Sequence, residues 1–188
     1  VSTSSPMTSV ALFDGNRCVA AARREAPRAA SAAVIELLRP LLAQQGVALS
    51  DITGFVSDVG PGSFTGVKVG LTMVKMWGYA LDKPVAGVSA FDLVHADSDV
   101  AIPSKRGEVY LRRVVEPGVV HAIHEVELPV EGYSELSEAM TYPDASRIDA
   151  SRLQWVTAIE LAAAYVGNPS ISQAKRPHIM GGSVHVDG

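Results

Sequence analysis

Asp58-Val59-Gly60-Pro61-Gly62-Ser63-Phe64-Thr65-Gly66-Val67-Lys68-Val69-Gly70 is the most informative run of letters in the chain. Residues 51–57 before it read as a short buried strand, and residues 68–81 after it as a helix apolar around most of its circumference. A glycine-rich turn therefore links strand to helix, with Ser63 or Thr65 placed to cap the helix. Such turns often hold phosphates, because free N–H groups and the helix dipole meet there. The spacing argues against that use. A Walker A loop needs Gly-Lys five residues after its first glycine, and Thr65 or Val67 stands there instead. Gly60, Gly62 and Gly66 are one residue too long for a dinucleotide fingerprint, and Pro61 and Thr65 flank Ser63 where a nucleophile elbow needs glycines. A sharp turn packed on its own sheet, with glycines for positive φ and close approach, fits these letters.

Working outward, residues 1–5 read as the end of a strand, and residues 8–13 and 18–22 as a hairpin about Asp14-Gly15-Asn16. Residues 29–43 form the first helix, with Val34, Leu37, Leu38, Leu41 and Leu42 as its apolar stripe, Pro40 as a kink and Gly46 as its stop. In the helix of residues 68–81, Lys68, Thr72, Lys75 and Tyr79 share one narrow polar arc. Met76, Val69, Ala80 and Met73 form an apolar arc on one side, and Val67, Val74, Leu81 and Leu71 on the other, with Trp77 between. A helix with two apolar arcs is either buried on both sides or supplies a face to another chain.

Residues 84–89 read as a buried strand and 91–95 as a short helix, with Val100 opening a second half. Residues 108–115 and 119–128 read as a hairpin around Glu116-Pro117-Gly118, 134–140 as a short helix and 141–150 as loop. Ser151 and Gln154 suggest a capping box for a last helix, with Leu153, Val156, Ile159, Ala162, Ala163 and Val166 as its stripe and Gly167-Asn168-Pro169 as its stop. The tail from Ser170 is expected to be poorly ordered in part.

The 188 residues carry a net charge of −4, with 47% apolar and 19% charged residues, a soluble globular composition without the basic face of a free-standing nucleic-acid binder. Cys18 is the single cysteine, which suits a reducing compartment. With no long apolar run and no secretory pattern at its start, the chain is expected in the cytoplasm, away from membranes.

Catalytic and metal-binding constellations are sparse. His121 and His124 fall on opposite faces of a predicted strand, so a shared metal is not expected, and no His-Glu-x-x-His occurs. Ser63, His95 and Asp92 make a hydrolase triad only on paper. Asp58 reads as a turn or cap residue with catalysis as the alternative, and Lys68 and Lys75 as a solvated stripe or a contact to phosphate or acidic partner residues. No catalytic residue, cofactor or metal is assigned.

Gly60-Pro61-Gly62-Ser63-Phe64-Thr65-Gly66, followed by Val67-Lys68-Val69-Gly70-Leu71 and Lys75, resembles the signature of the TsaB (YeaZ) family. The resemblance continues through residues 8–12, residues 84–89, Arg106-Gly107-Glu108-Val109-Tyr110 and Pro177, dense over about the first 110 residues and thin after that. It implies an α/β actin-like (ASKHA, ribonuclease H-like) fold of two subdomains, residues 1–96 with the partner-binding helices and a short second one of residues 97–188. It also implies a non-catalytic subunit in the synthesis of threonylcarbamoyladenosine (t6A), a modified tRNA base. The implied partners are a TsaD-like catalytic subunit and a TsaE-like ATPase, with a homodimer when alone and tRNA met only through the complex. In the family, two helices of the first subdomain pack against the same helices of the partner. Carried over, the interface residues would be Val34, Leu38, Leu41, Leu42, Val69, Met73, Met76, Trp77 and Ala80, with Trp77 foremost as a large aromatic.

The chain departs from the family pattern at several positions. Ser2 stands where the family has Asp, which weakens any phosphotransfer reading, since a hydroxyl does not orient a metal-bound nucleotide as a carboxylate does. Lys68 replaces an Arg and loses its bidentate fork, Met76 replaces a small residue, and Pro103-Ser104-Lys105 precedes Arg106 where Asp-Ala-Arg is usual. The rival from another class is a small actin-like nucleotide phosphotransferase using residues 2–4 and 60–66.

Overall fold

A computed structural model describes residues 1–114 and 116–166. Strands β1 (Met7–Asp14) and β2 (Arg17–Glu25) form the expected hairpin, with a register shift between Leu12 and Phe13. Strands β3 (Phe55–Asp58) and β4 (Val85–Val88) pair in parallel, and helix α2 (Phe64–Leu81) is the crossover such a pair requires. The helix starts at Phe64, a turn earlier than Lys68, because the Ser63 side chain accepts the Gly66 N–H and caps it there.

The segment 1–3 knits the two pairs together. Ser2 and Ser9 exchange both backbone hydrogen bonds, at 2.9 and 3.0 Å, and the Asp58 N–H donates to Val1 O at 2.9 Å. The spatial order is therefore β2, β1, residues 1–3, β3, β4. A cleft of about 720 Å³ opens between β1 and β3, lined by Val10, Leu12, Phe55, Val74 and Trp77 among others.

Side-chain alternation decides what covers each face of this sheet. Val10 and Leu12 of β1 point into a core built with Phe55, with Val34, Leu38 and Leu41 of α1 (Ala30–Gln45), and with Val67, Leu71, Val74 and Trp77 of α2. Ala11 and Phe13 point the other way, onto Leu93 of α3 (Ala90–Val94), Ala145 and Ile148. A second sheet follows, ordered β7 (Val119–Ala122), β6 (Glu108–Arg112), β5 (Val100–Pro103), β8 (Glu131–Gly132). Arg112 fastens it to α3. The guanidinium pairs with Asp92, donates to the carbonyls of His95 (2.6 Å), Ala96 (3.1 Å) and Ser98 (3.2 Å), and lies over the Phe91 ring.

Two sequence expectations are corrected. Residues 134–140 form turns, with Ser134 Oγ accepting the Leu136 N–H at 3.3 Å, rather than a helix. Residues 153–166 are not helical either: Val156 exchanges backbone hydrogen bonds of 2.8 and 2.9 Å with Val85, and the segment runs on beside α2 as a strap with one turn at residues 158–160. The open edge of β4 explains this, because its unpaired backbone groups gain partners that a helix would have kept for itself. Gly167-Asn168-Pro169, Pro177 and the tail from Ser170 lie outside the described residues. Among the described residues no helix is long and apolar enough to cross a membrane.

Candidate functional site

The glycine turn is a packing junction. Gly62 has a φ of 150°, and a Cβ there would lie 2.4 Å from Ser4 O; at Gly66 it would lie 2.0 Å from Thr3 O. Ser63 N–H donates to Ser4 O at 2.7 Å, and Thr3 Oγ1 donates to Gly66 O at 2.8 Å. The inner side of the turn, where a phosphate loop would hold its ligand, is thus filled by residues 3 and 4 of the same chain. The glycines are there so that two backbones can touch.

Asp58 closes the junction from β3. Its side chain is fully buried and accepts hydrogen bonds from Ser2 Oγ at 2.8 Å, from Ser4 Oγ, and from the Gly60 N–H at 2.7 Å. The residue is a clamp joining three segments, and Ser2 donates to a carboxylate on the adjacent strand. The sequence carries a trace of this, since Ser2 and Ser4 alternate and so share one face of an extended segment. Burial pushes the Asp58 pKa above the usual carboxylate range, against the three hydrogen bonds that pull it down.

The sign of the pH dependence follows. A carboxyl whose folded-state pKa lies above its unfolded value of about 4 favours folding below that value, and the contribution drains away as the pH rises towards the folded pKa. Asn at this position keeps an acceptor for Gly60 and does not titrate. Urea unfolding of the parent and Asp58→Asn chains between pH 4 and neutrality is expected to show the parent losing ground steadily. A constant gap between them would mean that the hydrogen bonds offset the burial, and a parent that gains ground as the pH rises would mean that they outweigh it.

The two lysines of the polar arc part company. Lys75 is no solvated stripe residue: its Nζ donates to Leu161 O at 2.7 Å and Ile159 O at 3.3 Å, holding the strap. Lys68 Nζ lies 4.2 Å from the centre of the Phe64 ring. None of the described carboxylates pairs with it.

The carried-over interface residues split between core and surface. Val34, Leu38, Leu41 and Trp77 are at most 7% exposed and belong to the core, which corrects their assignment to a surface. They lie on the stripe facing the chain's own sheet, and Trp77 packs against Phe55 with ring centres 5.6 Å apart. Leu42, Val69 and Met73 are half-buried, Ala80 is exposed, and Met76 is 56% exposed. Ile35 of α1 stands out as well. The second apolar arc of α2 is therefore covered in part, with Met73 packed against the core and Met76 and Ala80 exposed.

The paper triad is not assembled as one. Asp92 pairs with Arg112, His95 Nδ1 accepts the Asp97 N–H, and Ser63 caps α2. His121 lies on β7 and His124 in the helical turn after it, and no metal-holding group of three side chains occurs among the described residues.

Residues 23–106 match the family described as TsaD, tRNA N6-adenosine threonylcarbamoyltransferase. The tRNA threonylcarbamoyladenosine biosynthesis protein TsaB of Haemophilus influenzae is 33% identical over 95 residues, covering 46% of this chain and 40% of that protein. TsaB of Bacillus subtilis is 34% identical over 77 residues, covering 37% and 34%. An uncharacterised protein of Mycobacterium leprae, ML0378, is 33% identical over 119 residues, covering 59% and 33%. The chain thus spans between a third and two fifths of the length of these curated relatives. In fold it is similar to YeaZ from Pseudomonas aeruginosa, with a TM-score of 0.75 at 24% identity over 88% of this chain and 97% of that one.

Proposed function

Since this chain belongs to the TsaB (YeaZ) family, we propose that it is a non-catalytic, partner-binding subunit in the synthesis of t6A on tRNA. One observation carries this: the signature turn is filled by the chain's own residues 3 and 4, while on the outer arc of α2 Met76 and Ala80 are exposed beside the half-buried Val69 and Met73, open to another surface. The partner is a TsaD-like catalytic subunit whose own helices lie on this arc, with a TsaE-like ATPase joining the pair and tRNA reached only through the complex. Alone, the chain pairs with a second copy through the same face. Residues 1–96 and 97–188 act as the two subdomains of an actin-like fold, and the site of action is the cytoplasm. By binding one conformation of the catalytic subunit more tightly than the others, the chain shifts that subunit's population.

Light scattering after size-exclusion chromatography, on the chain alone and mixed with a TsaD-like subunit, tests the proposal. A dimer replaced by a one-to-one heterodimer is the expected result, and an unchanged mass on mixing overturns it. Met76→Asp places a charge on the exposed arc, so partner affinity is expected to fall at least about ten-fold, or about 1.4 kcal/mol. Its folding stability should stay within about 0.5 kcal/mol of the parent, as for most exposed sites. Unchanged affinity in that variant would move the interface off α2.

A further inference from the structure

We propose that the partner surface does not end at α2 but continues onto the strap of residues 153–166, with Ile159 and Tyr165 as contact residues. This rests on the partner-binding role proposed above. The strap is held by backbone and core contacts: Lys75 Nζ on the carbonyls of Ile159 and Leu161, Ala164 N–H on Val59 O at 2.9 Å, Val156 on Val85, and Leu161 buried in the core. Leu161 apart, the large side chains Ile159 and Tyr165 are not part of that fastening. Ile159 is 81% exposed, and Tyr165 is half-exposed with its ring centre 5.7 Å from that of Phe64.

Single exposed apolar side chains are ordinary, but these are spread along the whole length of α2. Phe64 and Tyr165 stand at the start of α2, Ile159 is anchored beside Lys75, and Met76 and Tyr79 stand near its end, all of them exposed. An 18-residue helix is about 27 Å long, so the strip has the length of a helix-sized docking face. Ile35 of α1, a helix that touches α2, is exposed as well. The charge on the strip narrows the partner's chemistry. Lys68 is its cation without a carboxylate among the described residues, whereas Lys75 is engaged by the strap. The fitting partner is the same subunit, through an apolar helix face that brings an acidic side chain opposite Lys68.

The test titrates the TsaD-like subunit with the full chain and with Ile159→Asp, Lys68→Glu and Met76→Asp. Each changed side chain is exposed, so unchanged circular dichroism and melting temperature are expected of all three. At least a ten-fold loss of affinity for Ile159→Asp, together with a loss for Lys68→Glu that shrinks in high salt, supports the strap as interface. Parental affinity for Ile159→Asp beside a loss for Met76→Asp overturns the strap contact and leaves the partner-binding role standing. Absence of binding by the parent chain overturns both.

Discussion

Gly66→Ala is expected to lower folding stability by about 3 kcal/mol, the upper end of ordinary overpacking costs. The new methyl would meet Thr3 O at 2.0 Å and Thr3 C at 3.0 Å, both backbone atoms. Thr3 has little room to retreat. Ser2 is locked to Ser9 by paired hydrogen bonds, and Ser4 O is held by the Ser63 N–H. Gly70→Ala is the informative comparison, because its methyl would meet the side-chain oxygens Thr3 Oγ1 at 2.5 Å and Ser57 Oγ at 3.1 Å. A χ1 rotation of Thr3 would relieve that contact at the cost of its hydrogen bond to Gly66 O, so a smaller loss of about 2 kcal/mol is expected there. Urea unfolding followed by circular dichroism measures both. Equal losses in the two variants would show that segment 1–5 yields as easily as a side chain, and that the turn is not a rigid junction.

Trp77→Ala is expected to cost about 3–5 kcal/mol, the range for truncating a buried aromatic. The ring is 7% exposed and lies against Phe55 in the core shared by α1, α2 and the first sheet. At a temperature where the variant is still folded, its affinity for the partner should match the parent's. Adjacent residues thus have opposite signatures: Trp77 governs the melting temperature and Met76 the affinity. A Trp77→Ala chain that melts normally but no longer binds would reverse the two roles and return Trp77 to the surface.

The elements with local punctuation are legible in the letters alone. Asp14-Gly15-Asn16 marks the first hairpin, Gly46 stops α1, and Ser63 caps α2. The strap is not, because the spacing of Leu153, Val156, Ile159, Ala162, Ala163 and Val166 is good helical periodicity. What that spacing does not weigh is the bare edge of β4, distant in sequence, whose backbone groups Val156 satisfies. Trp77 escapes a sequence reading for a related reason. Periodicity finds the apolar arcs of a helix, but which arc meets the sheet depends on the angle at which the helix is docked, and that is set by Gly66 and Gly70 lying against Thr3.

The strand-turn-helix unit at residues 58–70, the hairpin before it and the family likeness are readable from the letters, since each is written in contiguous residues with local physical causes. Folding in three dimensions is what brings residues 3 and 4 into the glycine turn, Asp58 to Ser2 and Ser4, and Lys75 to the strap at Leu161, 86 residues further along the chain. Those partners are brought together by burying an apolar core, and burial rewards total area removed from water without regard to separation along the chain.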